Sequence, residues 1–420
     1  MRVLLVNAFH WMKGGVERTY LDESRWLSAA GHDVAHFAVR DPRNLPSPTA
    51  AHFAPAADFT EGGGFAQIAQ LPRVFWSSAA ATAMASLLQD FRPEVAHLHA
   101  PSRHLTPSIL EPLERTGVPV VMTLHDFKPW CTNRILFAHG APCERCRGGR
   151  HWRAVTTGCV QGSRAKSSVG MLEAYLHDAR DAYRTVRLWI APSRFVLDKA
   201  ESFGVSRQRL RHLSHGVEAS AASPASAARA LAQAGLTDGA AARFALFAGR
   251  LSLEKGVKLL PAIAGAIAPV PLLVAGEGPL GDWLAAQSAP TLRRLGHLDD
   301  SALAALRARA AVVVVPSLFY EHFGYTVAEA LLDARPVVAS RIGALPELAE
   351  HEVTGLLAEP GDGAIFAAMA KRALDEGAAA RWGEAGRARV LDRADPRRHL
   401  EGLLAIYEEA RDGRASASRG

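Results

Sequence analysis

Val312–Val315 reads VVVV, a run with no polar residue to alternate with. An apolar run this short, with no two-residue period, suits a strand covered on both faces. Similar runs recur along the chain at Val3–Val6, Val34–Phe37, Val95–His99, Val118–Leu124 and Leu188–Ala191. They recur again at Phe244–Phe247, Leu272–Ala275, Leu292–Arg294 and Val337–Ala339. Helical patterns of ten or more residues separate most of them. This β-α-β alternation predicts a doubly wound parallel sheet, formed twice.

A chain of 420 residues has room for two such domains. After His215–Glu218 comes ASAASPASAARA, a stretch of small residues with a proline, then a short helix and GLTDGAAAR. A second α/β pattern restarts at Phe244. The expected division is therefore 1–215, 216–395 and a C-terminal segment 396–420. The last contains a helix over His399–Ala410 and a tail, RDGRASASRG, expected to be disordered.

Targeting and membrane signals are weak. The opening MRVLLVNAFHWMKGG is too short in its apolar part for a signal peptide and reads as a first buried strand. Leu259–Gly276 carries no charge but contains Pro261, Pro269 and Pro271, so it reads as helix, turn and strand rather than a membrane span. A soluble, cytoplasmic protein is expected. The net charge of +6 and pI of about 9.3 favour anionic partners without choosing among them.

The stretch EHFGYTVAEA places Glu321 and Glu329 on either side of a turn at Gly324. Val312–Val315 is the strand before it, Pro316–Phe323 a loop, and Tyr325–Ala334 a helix. Backbone N–H groups at such a helix start bind phosphate, and Thr326 adds a hydroxyl. Glu321 lies before the helix and Glu329 one turn inside it, so the two can reach different parts of one extended ligand. A carboxylate suits paired sugar hydroxyls because it accepts two hydrogen bonds. The competing reading makes Glu321 a solvated loop residue and Glu329 an ordinary acid at a helix start. FAGRLSLEKG, after the first strand of the second half, supplies Arg250 and Lys255, a cation pair suited to a diphosphate.

GRLSLEKG together with E-x7-E resembles the donor site of retaining glycosyltransferases of family 4, which have the GT-B fold. NAFHWMKGGVER, VAHLHAPS, VVMTLHDF, IAPSRF, GVE, VAGEGP, GHLDD and VVVVPSLFYEHFGYTVAEAL follow in the family's order over most of the chain. The resemblance implies two Rossmann-like domains facing a central cleft. It implies a nucleotide-diphosphate sugar held in the second domain by Gly249, Arg250, Lys255, Gly276, Glu321, Phe323, Gly324, Tyr325, Thr326 and Glu329, with Glu329 on the ribose. The acceptor, a sugar or a lipid-linked molecule, would meet Gly14, Gly15 and Asp126 in the first domain. The C-terminal helix would cross back to that domain.

Sugar transfer builds positive charge at the ring while the leaving diphosphate gains negative charge. Cations at the diphosphate and a carboxylate near the sugar are the useful groups. The implied catalytic set is therefore Arg250, Lys255, Glu321 and His125, which ends the MTLHD strand at its carboxyl edge, where relatives place a donor-sugar histidine. The resemblance implies that no metal is needed and that the leaving phosphate helps deprotonate the acceptor. It also suggests cell-surface polysaccharide or glycolipid synthesis, with peripheral contact to anionic membrane. His97 and His99 read as packing or cleft-lining residues. Lys13 and Arg18 could meet an anionic acceptor or lie in solvent. HGVE departs from the family's usual hinge, leaving the roles of His215 and Glu218 open.

Cys131, Cys143, Cys146 and Cys159 form C-x11-C-x2-C-x12-C directly after His125-Asp126. Two readings stay open: a structural zinc site in an insertion, as in a subset of the family, or four reduced thiols packing a loop. Other functions compete. Gly276-Glu-Gly278-Pro-Leu-Gly281 is a literal GxGxxG, which allows a nicotinamide-dependent oxidoreductase. The basic charge and cysteines allow a nucleic-acid-binding zinc protein, but the charge is dispersed and no nucleic-acid partner is expected. A phosphorylase or a nucleotide-sugar epimerase would keep the fold and change the reaction.

Overall fold

The computed structural model describes residues 1–56, 75–236 and 243–417. Residues 237–242 within the GLTDGAAAR stretch and the last three residues of the tail lie outside them. The chain divides into two compact units. The first comprises 1–136, 144–215 and 397–420; the second comprises 137–143 and 216–396.

The first unit holds a six-stranded parallel sheet of β1 (Arg2–Val6), β2 (Asp33–Phe37), β3 (Val95–Leu98), β4 (Val120–Thr123), β7 (Val186–Ala191) and β8 (Leu210–His212). The two-residue strands β5 (Phe137–Ala138) and β6 (Ala141–Pro142) pair as a small hairpin. The sheet order is β2-β1-β3-β4-β7-β8. Helix α1 (Gly15–Ala29) contributes Tyr20 and Leu27 to a core with Val3, Leu5, Val95, Val121 and Ile190. The C-terminal helix α3 (Pro396–Ala417) adds Leu403, Ile406, Tyr407 and Ala410 to that same core. Helix therefore continues past Ala410 into the stretch expected to be disordered.

The second unit holds β9 (Ala245–Ala248), β10 (Leu272–Ala275), β11 (Leu292–Gly296), β12 (Val312–Val315), β13 (Val337–Ser340) and β14 (Gly355–Ala358). All neighbours are parallel, in the order β11-β10-β9-β12-β13-β14. Val312 and Val314 point into one core, Val313 and Val315 into the other. Burial on both faces explains the unbroken apolar run, each valine contributing about 1.5–3 kcal/mol relative to exposure. Helix α2 (Tyr325–Leu332) follows β12. The small-residue stretch after Glu218 is not all linker: a helix runs over Pro224–Gln233, with Ser223 accepting from the Ser226 N–H.

Besides the β5–β6 hairpin, two strands of the large sheets escape the sequence reading. β8 is three residues long and carries two polar side chains at the sheet edge, and β14 is a four-residue edge strand opened by glycine. Neither gives a run long enough to register. Among the described residues no helix is long and apolar enough to cross a membrane.

Candidate functional site

In the second sheet the order reverses between β9 and β12. Open parallel sheets bind ligands outside the strand carboxyl ends at this point, because the two following loops diverge and leave a crevice. The loop after β9 carries Gly249, Arg250 and Lys255; the loop after β12 carries Ser317 and Glu321. Lys255 Nζ donates to Glu321 Oε1 at 2.7 Å, and Ser317 Oγ donates to the same oxygen at 2.7 Å. Glu321 is buried, while Lys255 is half-buried and also lies 5.0 Å from the Phe319 ring centroid. The Leu318 N–H donates to the Glu254 carbonyl at 2.7 Å, tying the two loops together. Arg250 is exposed, and among the described residues its guanidinium makes no hydrogen bond or ion pair.

Gly324 is the residue before α2 and has φ of 96°. Phe323 is buried in the core and meets the half-buried Tyr325 edge to face at 5.0 Å. Thr326 is half-buried in the first turn. Glu329 faces inward: Arg307 Nη1 donates to its Oε2 at 2.9 Å, and Arg307 Nε donates to Asp333 Oδ2 at 2.6 Å. Arg307 is buried, so a cation holds two carboxylates beneath the loop. No local pattern in the sequence pairs Arg307 with Glu329.

The GxGxxG run has a packing cause. Gly276 has φ of 129°, and a Cβ on it would sit 2.0 Å from the Gly249 carbonyl oxygen. The Leu251 N–H donates to the Glu277 carbonyl at 2.9 Å. The run clasps the Arg250 loop from behind.

In the first sheet the reversal lies between β1 and β3. The Asn7 side chain joins the start of α1 to the loop after β3, donating to Glu17 Oε1 at 3.2 Å and accepting from the Ala100 N–H at 3.2 Å. Burial pushes the Glu17 carboxyl up. Gly14 precedes α1 with extended backbone, and a Cβ on it would meet only Glu17 Oε2 at 3.8 Å, so the protein's own packing does not require glycine there. Gly15 opens the helix. Lys13 lies 3.8 Å from the Phe9 ring centroid, and Arg18 lies 3.9 Å from Asp22. Asp126 accepts from the Lys128 N–H at 2.9 Å, closing the turn after His125.

His97 and His99 belong to a buried polar cluster around Glu23, which the sequence reading did not single out. Glu23 Oε2 lies 3.3 Å from His97 Nδ1 and 3.4 Å from His99 Nε2. Its Oε1 accepts from His399 Nε2 at 2.9 Å, and His399 Nδ1 lies 2.7 Å from the Ser214 carbonyl. His99 Nδ1 lies 3.0 Å from His125 Nε2. The half-buried His125 ring lies nearly parallel to that of the buried His215, 5.2 Å away at 15°. Burial pushes the Glu23 carboxyl up, but His99, His97 and the His399 hydrogen bond outweigh it and hold it well below the usual range. One signal was available: Glu23 stands three residues after Tyr20 and four before Leu27, a carboxylate on the apolar face of α1.

Cys131 is buried, donates to Asn133 Oδ1 at 2.9 Å, and has its thiol pushed up to about 12 by burial, with Cys146 and Cys159 adding to the rise. Cys143, Cys146 and Cys159 are half-buried. Among the described residues, the three or more metal-capable atoms gathered within 4.8 Å of one another are those of Glu23, His97 and His99, not thiols.

Residues 13–221 match the family model described as Glycosyltransferase Family 4, and residues 242–376 match Glycosyl transferases group 1. A glycogen synthase of Mycobacterium tuberculosis is 30% identical over 98% of this chain and 96% of its own length. Over 27% of the chain, an MMP alpha-(1->4)-mannosyltransferase of Mycolicibacterium hassiacum is 37% identical, covering 28% of that protein. Among solved structures, sucrose-phosphate synthase from Thermosynechococcus elongatus superposes with a TM-score of 0.69 at 21% identity, over 97% of this chain and 98% of that one. Anabaena Alr3699/HepE in complex with UDP-glucose gives 0.67 at 18% identity, over 97% and 100%. The two parallel-sheet units and these neighbours establish the GT-B fold.

Proposed function

The chain belongs to glycosyltransferase family 4, and from that premise we propose that it moves a sugar from a nucleoside-diphosphate sugar to an acceptor hydroxyl with retention of configuration. The observation that carries the reading is the Lys255–Glu321 pair at the switch point of the second sheet. Lys255 and the exposed Arg250 neutralise the leaving diphosphate, and the backbone from Phe323 through Thr326 at the start of α2 receives a phosphate. Glu321 stabilises the positive charge that grows on the sugar ring. Glu329, steered by Arg307, serves the ribose. With protein cations at the diphosphate, the reaction runs without a metal.

His125 is the donor-sugar histidine in this reading, and Gly14, Gly15 and Asp126 serve the acceptor. UDP-glucose in the Anabaena structure supports the nucleotide-sugar class, not the base or sugar used here. A lipid-linked acceptor in surface polysaccharide or glycolipid synthesis fits the basic charge. Binding to anionic vesicles checks that part separately.

The test is a donor screen. Purified protein is mixed with UDP-, GDP-, ADP- and dTDP-sugars, and thermal shift and slow nucleoside-diphosphate release are recorded. One donor is expected to shift the melting point and to be hydrolysed slowly, with hydrolysis lost in Lys255→Ala and Glu321→Ala. Donor hydrolysis that survives in both variants would overturn the site.

A further inference from the structure

The helix Arg164–Ala179 buries polar side chains and displays apolar ones. Its buried residues are Ser167, Gly170, Glu173 and His177, while Leu172 and Tyr175 are 53% and 37% exposed. A surface helix ordinarily turns its apolar stripe to the core. Here specific partners fix the roll of the helix. The Val160 N–H donates to Ser167 Oγ at 3.1 Å, Lys128 Nζ donates to Glu173 Oε2 at 2.7 Å, and His177 Nε2 lies 3.1 Å from the Phe75 carbonyl. Gly170 presses on Thr132, where a Cβ would sit 2.5 Å from Cγ2. Rolling the helix to hide Leu172 and Tyr175 would break these contacts.

The displayed residues form one surface. Leu172 and Tyr175 are three positions apart and share a helix face, flanked by half-buried Val169 and Leu176. The Trp152 N–H donates to the Tyr175 hydroxyl at 3.2 Å, which sets Trp152, 49% exposed, beside them. Apolar side chains gathered in this way mark a docking surface. Charge identifies what docks. From Arg145 to Leu172 the sequence has six cations, Arg145, Arg147, Arg150, Arg153, Arg164 and Lys166, and no carboxylate. The Arg153 guanidinium lies 5.3 Å from the Trp152 ring centroid, and Arg164 lies eight positions before Leu172, on the same helix face. Asp178, in the helix's last turn, is held by His151 Nε2 at 2.8 Å. Tryptophan, tyrosine and leucine set among arginines match the boundary of an anionic bilayer. Its headgroups attract the cations, and the rings sit at headgroup level. Nucleic acid would take the cations but leave Leu172 in water.

We propose that Trp152, Leu172 and Tyr175, together with these cations, dock the first unit on an anionic lipid surface. The inference deepens the lipid-linked-acceptor reading and rests on it for its purpose. The unit that docks is the one that carries Gly14, Gly15 and Asp126, so the acceptor meets the enzyme at the membrane.

The test is sedimentation of the full chain with vesicles of phosphatidylglycerol and phosphatidylcholine in equal parts, and with phosphatidylcholine alone. The wild type is expected to bind the anionic vesicles and to be released by salt. Trp152→Ser/Leu172→Gln should lower vesicle affinity about tenfold or more, and Arg164→Gln/Lys166→Gln about 10- to 30-fold. Leu391→Ser, which removes a similarly exposed leucine of the second unit, should change nothing. Brominated acyl chains should quench tryptophan emission in the wild type and less in Trp152→Phe, which keeps the patch apolar. Slow donor hydrolysis in lipid-free solution should be equal in all these variants, since none touches the donor site. A folded Trp152→Ser/Leu172→Gln that binds like wild type overturns the patch and leaves the lipid-linked acceptor standing. A wild type that ignores anionic vesicles overturns the proposal, and donor hydrolysis still tests the transferase reading. A lipid-free dimer that the same substitutions dissolve gives the face to a second copy of the chain and overturns it too. If Trp152→Ser/Leu172→Gln does not fold, Arg164→Gln/Lys166→Gln and the quenching of Trp152 decide.

Discussion

Lys255 and Glu321 stand 66 positions apart in the chain, and the ammonium of one lies 2.7 Å from the carboxylate of the other. The pair exists because β9 and β12 are neighbours, so the loops leaving them share one edge of the sheet. In the proposed transfer, the contact sets a cation for the leaving phosphate beside an anion for the developing oxocarbenium centre.

The two partners should separate kinetically. Lys255→Met is expected to weaken binding of the cognate nucleotide sugar by about tenfold or more, the loss of one charge-assisted contact. Glu321→Gln keeps the loop's shape and most of the affinity but lowers turnover about 10²- to 10³-fold. Calorimetric binding beside steady-state rates checks this. Equal losses of affinity in both variants would contradict the division of roles.

Gly343 holds Glu321 in place from behind. Its φ is 59°, and a Cβ there would lie 2.5 Å from both the backbone nitrogen and oxygen of Glu321. Gly343→Ala is expected to cost about 1–3 kcal/mol in urea unfolding and to lower turnover by displacing the carboxylate. Full activity in the folded variant would show that the Glu321 loop tolerates movement.

Arg307 carries two buried contacts, to Glu329 and Asp333. Arg307→Met leaves those carboxylates without their cation and should destabilise the second unit by about 3–5 kcal/mol. Glu329→Gln should weaken donor binding beyond what its lost stability explains. An Arg307→Met unfolding curve matching wild type would remove the structural role.

His151 ties the cysteine-bearing segment to the helix Arg164–Ala179. Its Nε2 lies 2.8 Å from Asp178 Oδ2. Burial lowers its basicity, but the Asp178 and Cys146 interactions outweigh that and raise its pKa to about 9. A folded-state pKa above the unfolded one stabilises fully below about pH 6.5, and that contribution is lost as pH rises through about 9. The urea midpoint should therefore fall between pH 6.5 and 9.5, and His151→Gln should shrink the difference. An unchanged slope in the variant would assign the effect elsewhere.

The thiols can be counted directly. Cys143, Cys146 and Cys159 are half-buried and should react with a thiol reagent in the folded protein, while buried, protonated Cys131 should react only on unfolding. Bound zinc should be well below one per chain and chelation should not change the melting point. One tightly held zinc released together with four thiols would restore the metal reading of the cysteine insertion.

The sequence by itself determined the two doubly wound sheets, because burial on both faces writes a strand as a continuous apolar run, as at Val312–Val315. It also marked Lys255, Glu321 and His125, since each sits at a strand's carboxyl edge or in the loop that follows. Tertiary structure alone decided which loops meet. Strand order is set by crossover connections, and no local period records it. Tertiary structure also gave the GxGxxG run its packing cause against the Gly249 carbonyl and drew Glu329 onto Arg307. Most of all, it joined Glu23 to His399 across 376 positions. A buried polar pair needs only one partner of opposite character at hydrogen-bond distance, and that partner can come from anywhere in the chain.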